Sequence, residues 1–274
     1  MPKAKAKTTK SKEVAIDTHV PVPLAGAPIT IAPIETQMVR VKLKSRYGSP
    51  YCCHAFTEKA IKELEASHDG TKTGRKKDPK NQWKEFIDCG HWIIDDSGNI
   101  ETLAAPANQF KKSIIDAVRH VGDKKTLTMA AVRSWFYIHG TDHRYPDLIP
   151  LKSKKLDPLN YTKMDHRFTG NLDGDTSPWP NKENIAIMKK LHSKGISMRQ
   201  DAVTVGMGSN KDLRYRPIIH DWECEFDLEF FPSMITMESI INLINAAGQL
   251  NGIGEWRPSA PKASGQWGRY QVTT

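Results

Sequence analysis

Apolar and polar positions alternate most strictly over Trp222–Phe230. Trp222, Cys224, Phe226, Leu228 and Phe230 fall on one side, and Glu223, Glu225, Asp227 and Glu229 on the other. A sustained period of two predicts a strand with one buried and one acidic face. Met38–Ser45 shows the same period with opposite charge: Val39, Val41 and Leu43 alternate with Arg40, Lys42 and Lys44. After the acidic strand, Thr236 is placed to cap a helix with Glu238 in its first turn. Ile240, Ile241, Leu243, Ile244 and Ala247 form its apolar stripe, and Gly248 is placed to stop it. Beyond the loop Asn251–Gly265, Gln266–Val272 is strand-like. Near the start, the turn Tyr47-Gly48-Ser49-Pro50 leads to a short helix capped by Thr57, carrying Ala60, Ile61 and Leu64 and ending near Ser67.

Between these ends the pattern is weaker. Asp69–Lys84 is polar and basic and reads as a loop. Trp92–Ile94 is a short strand, Asp95–Asn99 a turn, and Asn108 caps a helix with Phe110, Ile114, Ile115 and Val118 on one face. Ser134–His139 and Leu148–Leu151 are extended. Residues 152–200 are the least regular part, with one helix over Glu183–Leu191, and extended character resumes from Asp201 to Pro217. The chain thus begins β-α and ends β-α-β. This predicts an α+β fold: a ferredoxin-like (RRM-like) antiparallel sheet with helices on one face and large insertions, at about 69–91 and 152–200. Residues 1–35 form a basic arm and an extended lead-in, and 36–274 a single domain.

In such a sheet the first and third strands are central neighbours. If these are Met38–Ser45 and Trp222–Phe230, the open face pairs Arg40, Lys42 and Lys44 with Glu223, Glu225, Asp227 and Glu229 and neutralises itself. An RRM places stacking aromatics on that face. Nucleic-acid contacts, if made, are then expected from loops and edges.

The formal net charge is +9 and the pI about 9.3, which fits a polyanionic partner. No run of residues is long and apolar enough for a membrane span, and no signal-peptide core stands at the N-terminus, so a cytoplasmic protein with no membrane partner is expected. Cys52, Cys53, Cys89 and Cys224 are too sparse for a disulfide framework. Cys52, Cys53, Cys89 and His91 lack the CxxC knuckle of a structural zinc site, so no metal or cofactor is assigned.

Gly252-Ile253-Gly254-Glu255-Trp256-Arg257-Pro258 follows a helix, and Gly265-Gln266-Trp267-Gly268-Arg269 follows in turn. The loop does not open a helix, so it is neither a dinucleotide fingerprint nor a Walker loop. Its glycines either let backbone amides approach a phosphate, with Arg257 and Arg269 adding charge, or serve tight turns. A strand, a helix and a glycine-rich loop before the last strand resemble the C-terminal signature of the RAMP superfamily, the RRM-like proteins of CRISPR effector complexes. Gly248, Gly252, Gly254, Trp256, Arg257, Pro258, Gly265, Gly268 and Arg269 carry the likeness. Arg214-Tyr215-Arg216-Pro217, and Asp95–Ile100 with Ala105-Pro106-Ala107, extend it toward phage-encoded relatives of the backbone subunit that holds guide RNA.

That resemblance implies sequence-independent binding of single-stranded RNA or DNA, with protomers assembling along the strand as a homo-oligomer or with CRISPR-complex subunits. Carried onto this chain, it points to Arg214, Arg216, Gly252, Gly254, Arg257, Gly268 and Arg269, with Arg75, Lys76 and Lys77 in a finger-like loop. A protein that mimics or blocks a host CRISPR complex is the competing interaction reading. Some relatives cleave RNA without a metal, using a histidine. His54, between the first strand and first helix, is the one candidate for that role, though no partner residue is placed by the sequence. The expectation is a binding protein and not an enzyme.

Overall fold

A computed structural model describes residues 33–56, 58–70, 81–123, 125–153, 182–204, 211–261 and 265–273. The chain divides into two units, Met1–Ile34 and Glu35–Thr274, and the second is described below. The basic arm, the Thr57 cap, the loop carrying Arg75, Lys76 and Lys77, and residues 154–181 lie outside the described residues.

In chain order the elements are β1 (Gln37–Ser45), a one-turn 3-10 segment (Arg46–Gly48), β2 (Tyr51–Cys52), α1 (Glu58–His68), α2 (Gln82–Asp88), β3 (Trp92–Ile94), β4 (Ile100–Pro106), α3 (Ala107–Val121), α4 (Met129–Val132), β5 (Phe136–His139), β6 (Leu148–Pro150), β7 (Lys152–Ser153), α5 (Lys182–His192), β8 (Ile196–Thr204), β9 (Lys211–Ile219), β10 (Trp222–Phe230), α6 (Met237–Leu250) and β11 (Tyr270–Thr273). The central sheet has the order β11-β1-β10-β5, all antiparallel, and β7 continues the β5 side along β10. Counting only these four strands, the spatial order is 4-1-3-2, that of a ferredoxin-like sheet. Two smaller sheets, β2-β9-β8 and β3-β4-β6, come from the segments between its strands.

β1 and β10 pair in one antiparallel register that keeps their alternating faces together. It runs from Gln37 opposite Phe230 to Lys44 opposite Glu223. Arg40 faces Asp227, Lys42 faces Glu225 and Lys44 faces Glu223, and the Arg40 guanidinium forks onto both Asp227 oxygens at 2.8 and 2.9 Å. Lys152 adds a second cation beside Glu223, and His139 Nε2 lies 3.1 Å from Glu229. The open face is charge-balanced as the pattern implied. Among the described residues its aromatic is Tyr137, at the β5 edge, against Phe231 and under the Lys111 ammonium.

The other face is apolar and covered by α3 and α6. Phe110, Ile114, Ala117 and Val118 of α3, and Ile240, Leu243, Ile244 and Ala247 of α6, are buried at helical spacing. Phe110 sits at the centre, its ring 5.6 Å from those of Phe226 and Tyr270 and 6.5 Å from Trp222. Burying a phenylalanine stabilises by about 1.5–3 kcal/mol, and truncating this one to alanine is expected to cost about 3–5 kcal/mol. Ser113 ties the two helices to the sheet. Its hydroxyl donates to the Ala247 carbonyl and accepts from the Tyr270 phenol, and its carbonyl accepts from Asn251 Nδ2.

Several local expectations change. The helix on the sheet after β1 is α3, not α1, whose Ile61 and Leu64 are about half exposed. Asn108 lies inside α3, because β4 runs straight into the helix through Pro106, whose fixed φ suits the junction. Gly248 also lies inside its helix. A Cβ there would overlap the Tyr270 backbone, so glycine serves close packing, and the left-handed residue beyond the helix end is Gly252 at φ 65. The loop Asp69–Lys84 gives way to α2, capped by the Asn81 side chain accepting from the Lys84 amide. The strand expected over Gln266–Val272 is confined to Tyr270–Thr273.

The outward side of β11 is not bare. The Val272 N–H donates to Asn245 Oδ1 of α6 at 2.9 Å, and the Tyr270 carbonyl packs on Gly248. All four cysteines are buried free thiols. Burial pushes Cys53 up to about 11 and Cys89 up to about 12, and raises Cys52 and Cys224 as well.

Candidate nucleic-acid interface

The glycine-rich loop folds back between two backbones. Gly254 has φ 72, and a Cβ on it would press on the Cys52 carbonyl and the Tyr51 ring at 2.7–2.9 Å. Gly268 has φ 63, and a Cβ there would overlap the Ile253 carbonyl. The amides are spent within the fold: Gly252 N–H donates to Ala247, Ile253 to Gly268, Glu255 to Cys52 and Gly268 to Pro50, at 2.7–3.0 Å. Gly252 and Gly268 therefore have no amide to offer a phosphate. Of the two roles open for these glycines, the geometry matches the tight turn and close approach. What the loop does is bring Glu255, Arg257 and Ser259 against α3.

There it forms a cleft of about 190 Å³ lined by His54, Gln109, Lys112, Asp116, Glu255 and Arg257, among others. Both carboxylates are already answered. Glu255 lies 3.5 Å from His54 Nδ1 and 3.4 Å from an Arg216 nitrogen, and Asp116 lies 3.8 Å from Arg119. Glu255 is held below the usual carboxylate range by its hydrogen bond to His54, with the Arg216 and Arg257 charges adding to the effect against its own burial. Among the described residues Lys112 and Arg257 make no ion pair. Arg257 Nη1 donates to the Gly254 carbonyl at 2.8 Å, which holds the guanidinium at the cleft wall.

A second, shallower groove continues along α3. It is lined by Asn108, Lys111, Lys112, Ile115, Asp116, Met129 and Arg133, so the two depressions share Lys112 and Asp116. Lys111 lies 4.2 Å over the Tyr137 ring, and partial burial lowers its pKa. Lys111, Lys112 and Arg133 were not singled out from the sequence. Part of the signal was present: a helix that buries Phe110, Ile114 and Val118 turns residues 108 and 112 to the opposite side, whereas 111 and 115 lie on the flank of the stripe.

The remaining expected cations separate. Arg216 is 1% exposed, opposite Arg199 across β8 and β9, and donates to Asp201 at 3.1 Å and to Glu255. Arg199 engages Asp201 through both oxygens. The two guanidiniums lie against the rings of Trp256 and Trp267, Arg216 4.4 Å from Trp256 and Arg199 4.5 Å from Trp267. Arg216 is thus a buried strut between the β8–β9 hairpin and the glycine loop, out of reach of a phosphate. Arg214 is half-buried on the same strand, its Nη1 3.5 Å from His54 Nδ1 at the cleft rim. Arg269 lines neither depression, and its carbonyl accepts from the Arg46 amide at 2.9 Å. The structure therefore gathers His54, Arg214 and Arg257 at the cleft, buries Arg216 and sets Arg269 apart.

No protein-family model matches the chain, and no curated protein matches it. A solved structure, that of Cmr6 from Pyrococcus furiosus, aligns over 88% of this chain and 100% of that chain, with a TM-score of 0.34 and 11% identity.

Proposed function

We propose that this protein binds single-stranded nucleic acid, RNA foremost, by its phosphate backbone along the α3 cleft and groove, and that protomers assemble along the strand. The observation that carries the reading is a run of cations, Arg257, Lys112, Lys111 and Arg133, lining two joined depressions, while the open sheet face is neutral. Phosphate contacts carry no sequence information, so binding is sequence-independent. The choice of RNA and the assembly along it rest on the resemblance of the glycine-loop segment to RAMP backbone subunits. The test is a filter-binding titration with single-stranded RNA and DNA at two salt concentrations. Arg257→Glu and Lys112→Glu are each expected to weaken binding about tenfold or more on every sequence and to lower the salt slope by about 1. No binding at low salt, or an effect confined to one sequence, overturns the reading.

A second reading is favoured by one observation: His54 is partly exposed in this cleft, beside Glu255 and between Arg214 and Arg257. A histidine so placed can take the proton of a ribose 2′-hydroxyl as that oxygen attacks the adjacent phosphorus and the 5′-oxygen of the next nucleotide leaves, taking a proton from water, with flanking cations stabilising the charge that develops. Cleavage of RNA but not DNA, lost in His54→Ala with binding retained, would establish it; an intact RNA after long incubation would remove it.

A further inference from the structure

The turn between β1 and β2 carries a residue that the fold does not ask for. Ser49 N–H donates to the Arg46 carbonyl at 3.1 Å, closing a four-residue turn whose central residues, Tyr47 (φ 54, ψ 39) and Gly48 (φ 65), are both left-handed. Such turns take Asn-Gly or Gly-Gly, because a side chain at a left-handed position lowers the folding equilibrium constant by roughly five- to thirtyfold. Among the described residues, only an exposed contact with the Arg46 guanidinium stands against this. Tyr47 is 86% exposed, and among the described residues its hydroxyl makes no hydrogen bond. Its neighbour is the Arg46 guanidinium, 5.3 Å from the ring centre.

The surroundings say what an aromatic face here can do. Arg46 donates from its backbone to the Arg269 carbonyl at 2.9 Å and from its side chain to Gln249, so the backbones of two arginines meet at the corner that carries the ring. The corner is joined to the glycine loop through Gly268 N–H on Pro50 and the Ser49 hydroxyl on the Gln266 carbonyl. An exposed ring beside cations is the pairing with which proteins hold an unpaired base and its phosphates.

We infer that Tyr47 is a stacking platform for one unpaired base of a bound strand, with Arg46 and Arg269 facing the adjacent phosphates. This rests on the single-strand binding proposed above. A strained, solvent-facing tyrosine that the packing does not use points to a contact outside the chain.

The test compares the full-length chain with Tyr47→Gly and Tyr47→Trp on two labelled oligomers of equal length, one of uridine residues and one of abasic ribose phosphates. Tyr47→Gly is expected to weaken binding of the uridine oligomer by roughly five- to a hundredfold, to leave the abasic oligomer unchanged, and to melt no lower than the unaltered chain. Tyr47→Trp is expected to keep the preference for bases. Equal affinities of Tyr47→Gly and the unaltered chain for uridine overturn the inference alone. Failure of the unaltered chain to bind either oligomer overturns the single-strand reading and this inference with it.

Discussion

Gly268 and Ile253 meet backbone to backbone: the Ile253 amide donates to the Gly268 carbonyl at 3.0 Å, and a Cβ on Gly268 would overlap the Ile253 carbonyl. The contact holds the glycine loop in the place from which Glu255 and Arg257 reach the cleft. Because Gly268 also has φ 63, Gly268→Ala combines a left-handed penalty with a clash against rigid backbone. The expected loss is about 2–5 kcal/mol of stability, read from urea denaturation. A loss below 0.5 kcal/mol, within the usual range of neutral surface changes, would show that the loop yields.

Asp201 is the shared anion of two buried arginines. Asp201→Ala leaves Arg199 and Arg216 opposite one another without it, and is expected to destabilise by about 3–5 kcal/mol. Replacing Arg216 by methionine in the same chain is expected to recover part of that loss. Chemical denaturation of the single and double variants measures the coupling.

The open sheet face is expected not to contribute to nucleic-acid affinity. Lys42 and Lys44 each face a glutamate in register, so Lys42→Glu or Lys44→Glu is expected to change oligonucleotide binding by less than about twofold, against the larger effect of Arg257→Glu. Equal effects from both sets would move the interface onto the sheet.

His192 is buried and its pKa is lowered by burial to about 4. An unfolded histidine titrates near 6.5, so between those values the unfolded chain binds a proton that the folded chain does not. This penalty is absent above pH 6.5 and grows as pH falls toward 4. It is expected to reduce the folding equilibrium constant by about tenfold per pH unit within that window. His192→Leu is expected to flatten the slope in a series of urea melts between pH 7 and 4.5.

The strands β1 and β10 and the helix α6 could be read from the sequence because each repeats one simple period over at least eight residues. Their pairing also followed, since opposite charges stand on the two open faces; the register did not, because a slip of two residues leaves every side chain on its face. The helix α3 was visible as a helix but not as the one that covers the sheet. That role depends on which apolar stripe finds the aromatic cluster of Trp222, Phe226 and Tyr270, which no local pattern encodes. Strand β4 was missed because Leu103, Ala104 and Ala105 are buried without alternating, and alanine has little preference for strands. At the site, Arg257 and His54 could be picked out by position after an element, whereas Arg216 could not be separated from Arg214. Both sit on one strand two residues apart, and only the approach of Asp201 and Trp256 makes one a strut and leaves the other at the rim.

The cover that α6 lays over β11 has a consequence for how copies of this molecule can meet. With the outward Val272 amide bonded to Asn245 and the Tyr270 carbonyl seated on Gly248, this margin of the sheet already spends backbone groups that a neighbour's strand would need to extend it. A contact between two copies at this margin would rest mainly on side chains and would part without unzipping a full strand ladder.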